Sequence, residues 1–339
     1  MLGLQFGIFD HLDDNGTPLA DLFETRLKLV EQYDSAGFRS YHIAEHHSTP
    51  LGMAPSPSVF LAAVAQRTTR LRFGPLLYVT PMYHPLRVAE EVVMLDHMSR
   101  GRLELGLGRG ASPIEIAGFD VDPQNAPAMN REATELILKA LTSDVVNYQG
   151  KFYRCQNVRI AARPLQRPHP PLWFAPTEPS RAADAAHLKG NVVTLIPDAG
   201  VKAIAESYRM AWKAQGENDA DMPLVGVFRH VVVAATDDKA REVMRPAYRH
   251  WRHHMAFLWD WGGLPFPIAA VYPEEFDRLE AMNMGVAGSP ETVRRYIAAT
   301  AESTGITYFV CDMAFGSLPY EVAARSVELF AKEVMPAFR

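Results

Sequence analysis

Short apolar runs alternate with amphipathic stretches along this chain. Residues 4–9 (LQFGIF) predict a buried strand. After Pro18, apolar residues recur at helical spacing (Leu19, Leu22, Phe23, Leu27, Val30) with charges between them, and Gly37 stands where a C-cap glycine ends a helix. The next units repeat that order. Residues 40–44 are strand two and 59–66 a helix; 71–79 (LRFGPLLYV) are strand three, stopped at Pro81. Pro85 opens a helix through Val88, Val92 and Leu95 to about Met98. Residues 102–107 (RLELGL) are strand four, followed at a distance by a helix over 131–141.

Residues 147–160 break the rhythm. Tyr148, Phe152 and Tyr153 around Gly150 predict a hairpin. Strands then resume at 172–175, 192–196, 225–234 and 306–311, with helices over 180–188, 201–214, 238–250, 290–301 and 319–334. Eight strands alternating with helices predict a TIM (β/α)8 barrel spanning 1–339 as one domain. Residues 251–283, rich in Trp, Met and Phe, interrupt the last unit. Such an insertion either packs on its own aromatics as a surface lid or caps the barrel mouth and shapes an apolar pocket.

Composition narrows the partners. Of 339 residues, 48% are hydrophobic and 22% charged, with a net charge of -5, and no basic block points to nucleic acid or an anionic membrane. No run reaches the roughly 20 apolar residues of a membrane span, and the N-terminus lacks the charge pattern of a signal peptide. Cys155 and Cys311 lie far apart and suggest no disulfide framework. A cytoplasmic setting is expected.

In such a barrel the chemistry gathers at the C-terminal ends of the strands. Strand two ends in Glu45, His46 and His47; strand three in Leu76, Leu77, Tyr78 and Thr80; strand four in Gly108, Arg109 and Gly110. Histidines titrating near neutrality suit proton transfer. Thr177 and Ser180 flank a helix start, where hydroxyls, free N–H groups and the helix dipole favour an anion; simple N-capping by Ser180 is the plainer reading. Arg109 would supply the counter-charge, and together they suggest a phosphorylated cofactor. Strand seven carries Arg229 and His230.

Two motif matches are rejected. Residues 106–111 (GLGRGA) fit the dinucleotide fingerprint GxGxxG/A, but no acid ends a following strand, and Pro113 disturbs the helix start. Residues 42–46 (HIAEH) fit a zinc-binding HxxEH, which needs a helix where the pattern here is a strand.

The motifs 36–38 (AGF), 44–47 (AEHH), 84–85 (HP), 95–110 (LDHMSRGRLELGLGRG) and 287–293 (AGSPETV) resemble the bacterial luciferase-like flavin-dependent monooxygenases, over nearly the whole chain. The resemblance implies a barrel that binds reduced FMN (FMNH2) supplied by a separate NAD(P)H-flavin reductase. It also implies O2 as co-substrate and a C4a-peroxyflavin that oxygenates a small organic substrate by hydroxylation or Baeyer–Villiger chemistry. On the same ground His46 and His47 would be catalytic, with Glu45 orienting His46. Arg109, Thr177 and Ser180 would hold the phosphate, with Arg131 as a second arginine. Leu76–Leu77 would form a cis peptide against the flavin ring, and Gly108 stands where luciferase has a reactive cysteine. His230 and Trp259 would line the substrate side. Phe228 replaces the arginine of the alkanesulfonate branch. The family is often dimeric through helices near strands two and three, here 59–66. A deazaflavin (F420)-dependent oxidoreductase, a non-catalytic flavin-binding barrel and a metal-dependent hydrolase are the other readings.

Overall fold

Helix boundaries fall where the chain places its proline and glycine. A computed structural model describes residues 3–338. In chain order its elements are β1 (Gln5–Asp10), α1 (Leu19–Ala36), β2 (Ser40–Ile43), α2 (Pro57–Arg67), β3 (Arg72–Pro75), β4 (Tyr78–Val79), α3 (Pro85–Met98), β5 (Leu105–Gly108), α4 (Pro113–Gly118), α5 (Ala126–Thr142), β6 (Val145–Gln149), β7 (Arg154–Arg159), β8 (Leu172–Phe174), α6 (Pro179–His187), β9 (Asn191–Thr194), α7 (Asp198–Ala214), β10 (Val225–Val233), α8 (Asp237–Trp261), α9 (Phe276–Ala281), β11 (Gly285–Gly288), α10 (Pro290–Thr304), β12 (Tyr308–Asp312) and α11 (Tyr320–Leu329). Proline at the first positions of α2, α3, α4, α6 and α10 presets the helical φ and removes an N–H that would have no partner. Gly37 ends α1 in the left-handed region at φ 82°.

All pairs in the main sheet are parallel, in the order β3-β2-β1-β12-β10-β9-β8-β5-β4. β3 and β4 are two halves of the expected third strand, separated by Leu76–Leu77. Both halves meet the β5 segment, Phe73 bridging Leu103 and Tyr78–Val79 pairing Leu107–Gly108, so the sheet closes into the expected (β/α)8 barrel. The antiparallel β6–β7 hairpin stands apart from it.

The structure departs from the expected elements in three places. β11 has no counterpart among the expected strands; it pairs His230–Val233 of the nine-residue β10, beyond the part of β10 that pairs β9. Its GVAG sequence has too few β-branched residues to read as a strand. α8 was expected to stop at His250 but runs to Trp261, with Pro246 inside it. The expected 251–283 insertion is therefore half helix. Its remaining loop is pinned at Tyr272, whose hydroxyl donates to the Leu195 carbonyl (2.9 Å) beyond the end of β9. Arg252 donates to the Tyr272 carbonyl (2.6 Å) and lies over the Phe266 ring at 4.2 Å. Third, Pro113 opens α4 rather than disturbing it, with Ser112 as N-cap.

The run 95–110 does much of the work of holding the barrel's N-terminal end. Asp96 accepts from the Gln166 backbone N–H (2.8 Å) and side-chain amide (2.7 Å). Arg102 donates to the carbonyls of Ala65, Thr68 and Leu71, closing the C-terminus of α2. Fully buried Glu104 accepts from Arg39 (2.8 Å), Ser40 (2.9 Å) and Arg72 (2.8 Å). These charge-assisted bonds offset the cost of burying a carboxylate. Among the described residues no helix is long and apolar enough to cross a membrane.

Candidate active site

The end of β2 delivers two histidines, each gripped by a different carboxylate. Buried Glu45 bonds His47 Nε2 through Oε1 (2.8 Å) and accepts the Val79 backbone N–H through Oε2 (2.9 Å). It therefore orients His47, not His46 as expected. The carboxylate on His46 is Glu115, whose Oε1 lies 3.0 Å from Nδ1. An ionised carboxylate only accepts, so Nδ1 carries the proton and Nε2 is the atom left to exchange one. Glu115 reaches this position because Ser112 caps α4, its Oγ accepting the Glu115 N–H at 3.3 Å. The His46 ring stacks on His11 at 5.7 Å, 23° from parallel.

The Leu76–Leu77 peptide is cis. The chain bulges there into the face of β5, and two glycines make room. A Cβ on Gly108 would run into Leu77, with its Cβ at 3.2 Å and Cγ at 3.3 Å and Cδ1 closer still. A Cβ on Gly106 would meet the Pro75 carbonyl, with Leu77 Cδ2 at 2.9 Å. The glycines of the rejected dinucleotide match thus serve a close approach between neighbouring strands.

Arg109 follows directly. It stands just past the C-terminal end of β5, and Thr177 stands three residues past the end of the parallel neighbour β8, so both lie at the same end of the sheet. Arg109, Thr177 and Ser180 are exposed, and none of their side chains has a hydrogen-bond or ion-pair partner among the described residues. The N-cap of α6 is Glu178, with Pro179 next, so Ser180 lies inside the first turn and is not the cap. Arg131 is exposed on α5 and also unpartnered. Its neighbour Asn130 is what ties α5 to this end of β5, through Thr80 Oγ1 (2.8 Å), which also donates to the Gly108 carbonyl (3.2 Å).

His230 was expected on the substrate side but is fully buried. Its ring lies edge-on to Trp251 (4.3 Å) and Phe315 (4.7 Å), and its Nδ1 is 3.4 Å from Asp312 Oδ2. Burial, with Arg229 adjoining, pushes its pKa down to about 3. Burial beside Asp10 and Asp13 pushes the Asp312 carboxyl well above the usual range, against the pull of Arg26. His11 lies 3.7 Å from the same Asp312 oxygen, and burial and His46 hold its pKa well below the ordinary value. Sequence reading missed both Asp312 and Glu115. For Glu115 a signal existed, the Ser112-x-x-Glu115 spacing of a capping box.

A cavity of about 440 Å³ opens beside these groups, lined by His47, Ser48, Ile114, Glu115, Gly118, Phe119, Phe257, Leu258 and Trp261. Trp259, expected to line the substrate side, packs instead on Phe266 at 5.4 Å; Trp261 is the tryptophan at the cavity.

Known proteins resemble the chain over this whole architecture. Limonene 1,2-monooxygenase of Rhodococcus erythropolis is 29% identical over 92% of this chain and 80% of its own. The oxygenase component of the flavin-dependent trigonelline monooxygenase of Acinetobacter baylyi is 27% identical over 99% and 96%. The crystal structure of monooxygenase RslO1 from Streptomyces bottropensis superposes with a TM-score of 0.88 over 99% of this chain and 100% of its own, at 27% identity. The model of one family, luciferase-like monooxygenase, matches residues 4–308, and with the barrel and its paired histidines in view the chain belongs to that family.

Proposed function

We propose that this protein is the oxygenase component of a two-component flavin monooxygenase. It takes reduced FMN from a separate NAD(P)H-dependent reductase and uses O2 to oxygenate a small organic substrate. The observation that carries this reading is the donor set at one end of the barrel. An unpartnered arginine, Arg109, and two free hydroxyls, Thr177 and Ser180, at a helix start are the chemistry a phosphate monoester needs. The trigonelline relative, named as an oxygenase component, supports the two-component arrangement.

Reduced flavin, when bound, supplies the electrons that activate oxygen. The chain's own residues do the rest. Arg109, Thr177 and Ser180 would hold the phosphate, and Leu76, Leu77 and Gly108 would form a surface for the flavin ring. Glu115 fixes the His46 tautomer, so that Nε2 takes or returns the proton that oxygen chemistry moves. Glu45 anchors His47 to β4 and keeps the turn after β2 rigid. Val59 (72% exposed) on α2, with Met94 (62%) and Met98 on α3, forms an apolar surface suited to a second copy of the chain.

Anaerobic titration with photoreduced FMN, followed by stopped-flow mixing with O2, tests the reading. Saturable binding and an oxygen-dependent absorbance transient, altered in rate by His46→Ala, are expected. Binding of reduced deazaflavin in place of FMN, with no oxygen dependence, would replace this reading with a hydride-transfer one.

A further inference from the structure

We infer that the cavity between the turn after β2, α4 and the end of α8 is the substrate site, and that it selects an uncharged, mostly hydrocarbon ring molecule with one or two polar atoms. This rests on the monooxygenase reading for the word substrate, but not for the binding. The volume of about 440 Å³ falls in the range of small-molecule sites and suits a mono- or bicyclic compound.

The lining fixes the chemical class. Ile114, Phe119, Phe257, Leu258 and Trp261 supply its apolar surface, with the Phe257 and Trp261 rings stacked at 6.2 Å. Trp261 is 83% exposed and Phe119 46%, an arrangement that leaves two large aromatic faces in water at a concave rim. A ligand that covers them gains the burial the fold itself does not supply. The lining contains no Lys or Arg. Its two ionisable groups are already engaged, His47 with Glu45 and Glu115 with His46. A carboxylate or sulfonate entering here would be desolvated with no cation to meet it and would face the Glu115 charge. The uncommitted side-chain donors are the exposed Ser48 hydroxyl and the Trp261 indole N–H, enough for one or two carbonyl or hydroxyl oxygens. Glu115 belongs both to the lining and to the His46 pair, so a molecule seated here lies beside the proton-exchanging histidine.

The test uses three matched probes on the full chain, without flavin: 4-tert-butylcyclohexanone, the corresponding 4-tert-butylcyclohexanecarboxylate and the corresponding ammonium. Trp173, Trp212 and Trp251 are buried and Trp259 half-buried, so solvent-exposed tryptophan emission reports on Trp261. The ketone should shift that emission and titrate by calorimetry at least tenfold more tightly than either ion. Trp261→Ser and Phe257→Ala should each weaken it about five- to tenfold, and Met210→Ser, on the exposed face of α7, should not. Equal or tighter binding of either ion, no ketone binding, or ketone affinity untouched by Trp261→Ser would overturn the inference. So would a change of oligomeric state in Trp261→Ser with no ketone effect, which would make this rim an interface between copies. Failure of the reduced-FMN experiment with ketone binding intact would instead remove the monooxygenase reading and leave the cavity as a binding site.

Discussion

Two glycines on one strand separate a structural constraint from a functional one. Gly106→Ala would drive a methyl group into the Pro75 carbonyl, which is backbone of the neighbouring strand and has no rotamer to escape to. Overpacking of this kind costs up to about 3 kcal/mol, against roughly 1 kcal/mol regained from the stiffer unfolded chain. A net loss of about 2 kcal/mol follows. With an unfolding entropy of about 2.1 cal/mol/K per residue, 339 residues give about 0.7 kcal/mol/K, so the melting temperature should fall by about 3 °C. Gly108→Ala meets Leu77, whose Cδ1 can turn aside and whose Cβ, at 3.2 Å, has to give by only a few tenths of an ångström. Its stability should change by less than about 1 kcal/mol, since strain and entropy oppose each other. The displaced Leu77 would, however, spoil the surface proposed for the flavin ring and weaken reduced FMN about tenfold, or ~1.4 kcal/mol. Calorimetric melting of both variants, with anaerobic FMN titration of each, gives the comparison. Gly106→Ala melting with the wild type, or Gly108→Ala losing stability while binding FMN normally, would refute the reasoning.

Arg109→Ala should weaken FMN roughly 10- to 100-fold, the worth of a charge-assisted hydrogen bond, yet leave riboflavin, which lacks the phosphate, unchanged; an equal loss for both by titration would move Arg109 off the phosphate. Glu115→Gln keeps the shape but not the charge beside His46 Nδ1. Flavin affinity should hold within about twofold while the rate of the oxygen-dependent transient changes at least about tenfold, a small part of what general acid–base catalysis supplies; an unchanged rate would leave Glu115 structural. Asp312, with its folded pKa raised, binds a proton that the unfolded chain has released above the ordinary carboxyl range, so its contribution to stability is lost as pH rises from that range through the folded value. Asp312→Asn removes this titration while keeping the side chain's size, so urea unfolding across about pH 5–8 should show a flatter decline than wild type; an identical slope would mean Asp312 is ionised in the fold. The proposed pairing through Val59, Met94 and Met98 requires wild type to sediment as a dimer and Met94→Lys as a monomer; a monomeric wild type would refute the pairing, and a dimeric Met94→Lys would place the interface elsewhere.

The elements were legible where local chemistry decides them. Pro85, Pro290 and Gly37 mark helix ends through their own backbone restrictions, and the buried strands read as apolar runs because both of their faces are covered. The position of Glu45, His46 and His47 at the end of β2 followed from the same rhythm. The pairing of those residues did not. Which carboxylate meets which histidine is settled by α4, nearly seventy positions along the chain from His46, and sequence adjacency pointed to Glu45. β11 escaped notice because a short glycine-bearing strand owes its existence to the free edge of β10 rather than to its own residues. The burial of His230 depends likewise on α8 continuing past His250 to bring Trp251 over it.

The most recognisable stretch of the chain is also the part with the most structural duty. Within 95–110, Asp96, Arg102 and Glu104 tie a loop, a helix end and three strands together at one end of the barrel, and Gly108, Arg109 and Gly110 reach the other. In this chain the run is therefore mostly an assembly element, a clasp that shuts the cylinder. The residues that line the proposed substrate cavity stand elsewhere, on the turn after β2, on α4 and on the last turns of α8.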